Sequence, residues 1–167
     1  FSYIFNSVPV SIWEEDFSEL LKALNQLNVE TSDELRTKLK REPVLVDSLT
    51  KLIKVKDVND HTLDLFKAKD KKMLFGSIEK VLLDSSMDNI IEELCAVFDR
   101  KKYFFGETTN VDLNGKEINI FLSIAFPEKD EDYSNVLVCM IDITERVEAE
   151  KKIEENEIRF RSIFENS

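Results

Sequence analysis

Residues 104–126 read FFGETTNVDLNGKEINIFLSIAF. Asn114-Gly115 sits between two β-rich runs, and Asn-Gly in that setting is the strongest short-range signal for a β-hairpin. The stretch predicts a strand over 104–113 that returns as a strand over 116–126. By alternation, Phe105, Glu107, Thr109 and Val111 share one face of the first strand. Ile118, Ile120, Leu122 and Ile124 share a face of the second.

Downstream, a charged loop from Glu128 to Asp132 leads to a last strand over 135–143. Its two side-chain sets, Val136/Val138/Met140 and Leu137/Cys139/Ile141, are both apolar, which predicts cover on both faces. A charged helix begins at Thr144. Upstream, Ile90, Ile91, Leu94, Val97 and Phe98 place one apolar face on a long helix over 87–101. A strand over 53–58 precedes Asn59-Asp60, which turn the chain into a short helix carrying Leu63, Leu65 and Phe66. A first strand covers 10–16, after Pro9.

Between those two strands the period changes. Phe17, Leu20, Leu21, Leu24 and Leu27 follow helical spacing, with Asp16 or Ser18 to cap the start. Thr31-Ser32-Asp33-Glu34 has capping-box spacing and opens a helix through Leu35 and Leu39. Pro43 suits the first position of a third helix. Residues 17–51 are therefore expected to be a helical excursion outside the sheet. The order β, inserted α, β, short α, long α, β, β, β, α is that of an α+β domain with an antiparallel sheet.

The 167 residues suffice for one domain with a substantial core. No apolar run reaches the ~20 residues of a bilayer span. Three glycines, in neither Rossmann nor Walker spacing, argue against a phosphate-cradling loop. A net charge of −11 disfavours nucleic acid as a partner. Glu14-Glu15-Asp16 and Glu128 to Asp132 read as solvated surface, and neither offers a calcium-loop pattern. One histidine and no serine elbow leave no catalytic constellation. Cys95 and Cys139 read as core thiols, consistent with a reducing cytoplasm.

Three stretches resemble a PAS domain, and the resemblance covers nearly the whole chain. Val58-Asn59 followed by Leu63, Leu65 and Phe66 is similar to the asparagine-initiated helix after the second strand. Met73-Leu74-Phe75-Gly76-Ser77-Ile78 resembles the junction that follows. Asp142-Ile143-Thr144-Glu145-Arg146 resembles the Asp-Ile-Thr terminus of many signalling PAS domains. There are two departures: a glycine common after the short helix is replaced near Lys67, and residues 17–51 lengthen a connection that is normally short.

The resemblance implies a five-stranded antiparallel sheet with flanking helices over 1–144, interrupted by the 17–51 insertion. A linker helix over 145–159 follows. The end, Phe160-Arg161-Ser162-Ile163-Phe164-Glu165-Asn166-Ser167, echoes Phe1-Ser2-Tyr3-Ile4-Phe5-Asn6-Ser7 and resembles the entry of a further PAS domain. The implied role is a sensory or relay module of a larger protein of the sensor histidine kinase type, without chemistry of its own. A ligand-free dimerisation module is the alternative. Asp142, Ile143 and Thr144 would couple the sheet to the output helix, with the Thr144 hydroxyl as N-cap. A ligand cavity would be lined by Val55, Leu63, Phe66, Leu74, Ile91, Leu94, Phe105, Thr109, Leu122 and Met140. Twelve phenylalanines equally suit a fully packed core.

No metal, haem or flavin is expected. His61 lies beside a turn rather than on the long helix, and no reactive-cysteine segment occurs near Phe75 to Leu83. In the terminal helix Ala149, Ile153, Asn156, Phe160 and Ile163 are spaced as a heptad seam, which suggests a homodimer. Adjacent PAS and kinase-type domains are the other expected partners.

Overall fold

The computed structural model describes residues 2–7, 9–81 and 86–165. Phe1, Asn166 and Ser167 of the terminal echo lie outside them, as do Leu82 and Leu83 of the segment compared with a flavin motif. Strands β1 (Ser11–Asp16), β2 (Lys54–Val58), β3 (Tyr103–Val111), β4 (Glu117–Ala125) and β5 (Val136–Asp142) form one antiparallel sheet in the order β2-β1-β5-β4-β3. The helices are α1 (Ser2–Ser7), α2 (Ser18–Asn25), α3 (Ser32–Arg41), α4 (Pro43–Thr50), α5 (Asp60–Phe66), α6 (Lys71–Phe75), α7 (Ile78–Val81), α8 (Met87–Phe98) and α9 (Thr144–Glu165). The chain crosses from the β2 edge to the β3 edge through α5–α8, which cover one face of the sheet.

Local chemistry explains most of the boundaries. Asp16 Oδ1 accepts the Ser18 N–H at 2.9 Å and starts α2. Thr31 Oγ1 accepts the Glu34 N–H at 3.2 Å, and Glu34 reaches back to the Glu30 N–H at 3.1 Å. Pro43 stands in the first turn of α4. Asn59 is fully buried and organises the start of α5: Oδ1 accepts from Thr62 N at 3.1 Å and Ile12 N at 2.9 Å, while Nδ2 donates to the carbonyls of Phe5 and Val10. Lys67, at the position where the resemblance replaces a glycine, ends α5 in the left-handed conformation at φ 60°.

The hairpin departs from the sequence reading. A two-residue Asn114-Gly115 loop would pair Phe105 with Ile124 and Thr109 with Ile120. Instead the buried Asp112 carboxylate accepts the N–H groups of both Asn114 and Lys116, which makes a longer loop. Gly115 adopts φ 84° within it, and the Leu113 N–H leaves the hairpin to donate to the Phe66 carbonyl. The register moves by one residue: Phe105 pairs with Ser123 and Thr109 with Asn119. A one-residue shift exchanges the faces of a strand. Phe104, Gly106, Thr108 and Asn110 thus share the inner side with Ile118, Ile120, Leu122 and Ile124.

The insertion is helical and lies outside the sheet, as expected, and it packs into the common core. Leu20, Leu24, Leu35, Leu39, Val46 and Leu49 are buried in the same cluster as Trp13, Phe66 and Leu94. Each such burial is worth about 1.5–3 kcal/mol. Arg36 on α3 grips Glu92 on α8 with two bonds, Nε to Oε1 at 2.7 Å and Nη2 to Oε2 at 3.0 Å. By contrast, β5 is not covered on both faces. Val136, Val138 and Met140 are buried, while Leu137 and Ile141 are exposed and Cys139 is half-buried on that outer side. Of the two cysteines only Cys95 belongs to the core.

Candidate functional site

The residues of the expected cavity separate into two groups. Phe66, Leu74, Ile91, Leu94, Leu122 and Met140 are buried together between the sheet and the helices, with Val55 and Leu63 packed against them. Phe66, Leu74 and Leu94 retain no accessible surface, and Phe66 meets Trp13 edge-on at 5.7 Å. Phe105 and Thr109 are not among them. The register change puts both on the outer face, where Phe105 is 58% exposed and stacks between Tyr103 at 6.0 Å and Phe121 at 6.1 Å. Two open concavities occur on helix surfaces. One, about 790 Å³, runs along α9 past Ile153, Asn156 and Phe160; the other, about 510 Å³, lies along α3.

The junction between sheet and terminal helix is built from Asp142, Ile143, Thr144 and Asn119. Asp142 ends β5. Its Oδ1 accepts the Thr144 N–H at 2.9 Å and the Thr144 hydroxyl at 2.6 Å. The same hydroxyl accepts the Asn119 N–H of β4 at 3.0 Å, and the Ile143 N–H donates to the Asn119 carbonyl at 2.8 Å. The first turn of α9 is closed by the Val147 N–H on the Ile143 carbonyl. The cap therefore differs from the expectation: Thr144 is the first helical residue, and the Asp142 carboxylate, not the Thr144 hydroxyl, takes up a helix-start N–H. Thr144 instead ties the helix to the neighbouring strand. Arg146 Nη2 reaches Glu107 Oε1 on β3 at 2.6 Å, so the first turn of α9 touches three strands.

Beyond its first turn α9 lies free of the sheet. Ile153, Phe160 and Ile163 of the heptad seam are exposed, as are Ile158 and Phe164. The helix is continuous from 144 to 165, across the boundary expected at 159/160.

Sequence reasoning missed Asn119 and read Glu15 as solvated surface. Glu15 alternates with Ser11 and Trp13 on the inner face of β1 and is 8% exposed. Burial, reinforced by the charge of Glu93 on α8, pushes its carboxyl up to about 8. Burial pushes the half-buried Glu93 up to about 7. The parity of Trp13 was the available signal for Glu15. Nothing local announced Asn119, since its role depends on where β5 ends.

No protein-family model matches the sequence, and no curated protein is detectably similar to it. Solved structures are similar in fold. The PAS domain of a LuxR-family transcriptional regulator from Burkholderia thailandensis superposes with a TM-score of 0.52 at 10% identity, over 86% of this chain and 97% of that one. A PAS domain from Colwellia psychrerythraea gives 0.52 at 14% identity over 86% and 94%. The LOV domain of a blue-light activated histidine kinase from Erythrobacter litoralis gives 0.51 at 10% identity over 81% and 97%. With its five-stranded antiparallel sheet, helix-covered inner face and Asp-Ile-Thr terminus, the chain has the fold of a PAS domain.

Proposed function

We propose that the chain is a sensory and signal-relay module of a larger signal-transduction protein of the sensor histidine kinase type, working in the cytoplasm without haem or flavin. A change on the helix-covered face, or in a neighbouring domain, would move α9 relative to the sheet. A second copy would pack along the seam of α9, and the chain beyond it would continue into further PAS and kinase-type domains. The observation that carries this reading is the Asp142–Thr144–Asn119 junction. It concentrates the attachment of a long exposed helix into a few hydrogen bonds, and a change worth about 1 kcal/mol there shifts a two-state equilibrium roughly fivefold.

The test is autophosphorylation of the parent protein carrying Thr144→Ala or Asp142→Ala. Output should change several-fold in either direction while the isolated chain stays folded. Unchanged output in both variants sinks the relay role.

The complete burial of Phe66, Leu74 and Leu94 favours a second reading, a ligand-free interaction module. On that reading the exposed stripe of Tyr103, Phe105 and Ile141 on the outer sheet face packs against a neighbour. Native mass spectrometry of the purified chain separates the two, because a retained small molecule excludes the ligand-free module.

A further inference from the structure

We propose that the inserted helix α3 is an input element for the terminal helix α9, joined to it by a polar strut that passes round the β3 edge of the sheet: Arg36, Glu92, Asn89, Glu107 and Arg146. The first link is the fork of Arg36 on Glu92, Nε to Oε1 at 2.7 Å and Nη2 to Oε2 at 3.0 Å. Asn89 stands one turn before Glu92 on α8, and residues three apart on a helix share a side. Its Nδ2 donates to the Glu107 carbonyl of β3, the edge strand. Gly106 permits that close approach: a Cβ there would stand 3.3 Å from the Phe104 ring and 3.6 Å from Asn89 Oδ1. Glu107 alternates with Gly106 and so faces the outer side, where its Oε1 takes Arg146 Nη2 of α9 at 2.6 Å. One residue thus holds α8 by its main chain and α9 by its side chain, from opposite faces of the sheet.

The two ends of the strut differ in how firmly they are held. α3 and α8 are anchored in the common core, by Leu35 and Leu39 on one and by Ile91 and Leu94 on the other. No residue of α9 is buried, and its first turn rests on the bonds to Asn119 and Glu107. A joint tilt of α3 and α8 therefore meets its weakest resistance at α9, and it biases the balance between a docked and a lifted first turn. An input has a place to act. Asp33 lines the open concavity along α3 and also holds Arg36 Nη1 at 2.7 Å, so a contact made there bears on the first link. The ion pairs of the strut are partly exposed and add little to global stability. Their effect is positional and local. The proposal deepens the relay reading by naming its route, and rests on that reading for any signalling consequence. The strut is read by amide exchange on this chain and relay by the parent's output, so either can fail alone.

The experiment measures amide hydrogen exchange of the 167-residue chain by NMR, under conditions where exchange reports the opening equilibrium. The reporters are the Val147 amide, which closes the first turn of α9 on the Ile143 carbonyl, and the Ile143 amide, which donates to Asn119. Arg36→Ala and Asn89→Ala should each speed exchange at these two amides about threefold relative to the amides of β4, the scale of one exposed ion pair. Lys38→Ala breaks an exposed pair with Glu42 on the same helix but off the strut, and should leave both reporters unchanged. In a Glu107→Ala chain, whose last link is already cut, Arg36→Ala should have no further effect on Val147. Unchanged exchange at Val147 in both single variants overturns the strut. So does a rise shared equally by the amides of β4, which is global loosening. An Arg36→Ala effect that persists in the Glu107→Ala chain also overturns it, because unconnected sites act additively.

Discussion

Asp142 holds Thr144 twice through one oxygen, accepting its N–H at 2.9 Å and its hydroxyl at 2.6 Å. The hydroxyl then still has a lone pair for Asn119 of the next strand, at 3.0 Å. One side chain therefore fixes both the start of α9 and its position against the sheet.

Removing that hydroxyl leaves the Asn119 N–H without its acceptor. Thr144→Ala should cost about 1–2 kcal/mol. That is roughly 2–8 °C in Tm for a chain of this size. Asp142→Ala, which removes the acceptor for a helix-start N–H, should cost about 1 kcal/mol. Both chains should remain folded. Differential scanning calorimetry checks this, and unchanged Tm in the Thr144 variant would show that the Asn119 contact contributes nothing.

The acid–base profile should have two limbs of opposite sign. The carboxyls of Glu15 and Glu93 sit above their unfolded values because of burial. The folded chain thus binds these protons more tightly, and their contribution is complete below about pH 4.5. It is lost as pH rises through about 7 and 8. Asp16, held low chiefly by the Ser18 hydroxyl, Glu92 by Arg36 and Asp130 by Arg100 act in the other direction. Their stabilisation is present above the unfolded carboxylate range and lost as pH falls through their depressed values. Tm should be highest in mildly acidic buffer and fall towards pH 8. Glu15→Gln should flatten the alkaline limb and leave the acid limb unchanged.

The inserted helices should prove necessary for folding. Leu35 and Leu39 are buried in the common core, so Leu35→Ala should cost about 2–5 kcal/mol. Arg36→Ala should cost much less, because Asp33 is almost fully exposed and Glu92 about half exposed. Excision of residues 17–51 should abolish cooperative unfolding. A deletion chain that melts cooperatively near the parent's Tm would show instead that the insertion is dispensable.

Elements fixed by chemistry within a few residues were legible in the sequence. Asn59 starts α5, Thr31 caps α3 and Pro43 opens α4, because each acts on N–H groups or turns beside it. The Asp-Ile-Thr junction was legible for the same reason, although the cap moved from Thr144 to Asp142. Features set by distant pairing were not. The face of Phe105 depended on Asp112, whose single Oδ1 accepts the N–H groups of both Asn114 and Lys116 in the loop. The burial of Glu15 depended on α8 and the insertion folding over a strand whose local composition is acidic. Lys67 marks an intermediate case, since its place in the motif was visible and its left-handed backbone was not.

Lys67 at φ 60° gives a direct stability test. Glycine meets no Cβ penalty in the left-handed region and is the usual residue where a helix ends this way. The backbone hydrogen bonds there, including Ala68 N–H to Leu63 O at 2.9 Å, do not involve the lysine side chain. Lys67→Gly should raise stability by about 0.5–1 kcal/mol, read as a higher denaturant midpoint at constant slope. A lower midpoint would show that the lysine stem stabilises the end of α5 by packing.

The hairpin register predicts unequal costs for two apolar truncations on paired strands. Leu122 is on the inner face of β4, within the common core, and its truncation to alanine should cost about 2–4 kcal/mol. Phe105 is on the outer face of β3, where it touches Tyr103 and Phe121 and is otherwise open to solvent. An exposed aromatic pair adds about 0.5–1.5 kcal/mol, so Phe105→Thr should cost no more than that, since threonine suits an outward strand position. In the alternative register, with Asn114-Gly115 as a two-residue loop, Phe105 would pair with Ile124 and face the core. Its loss would then cost at least as much as that of Leu122. Urea melts of the two single variants decide the matter. A Phe105→Thr cost above about 3 kcal/mol would favour the alternative register.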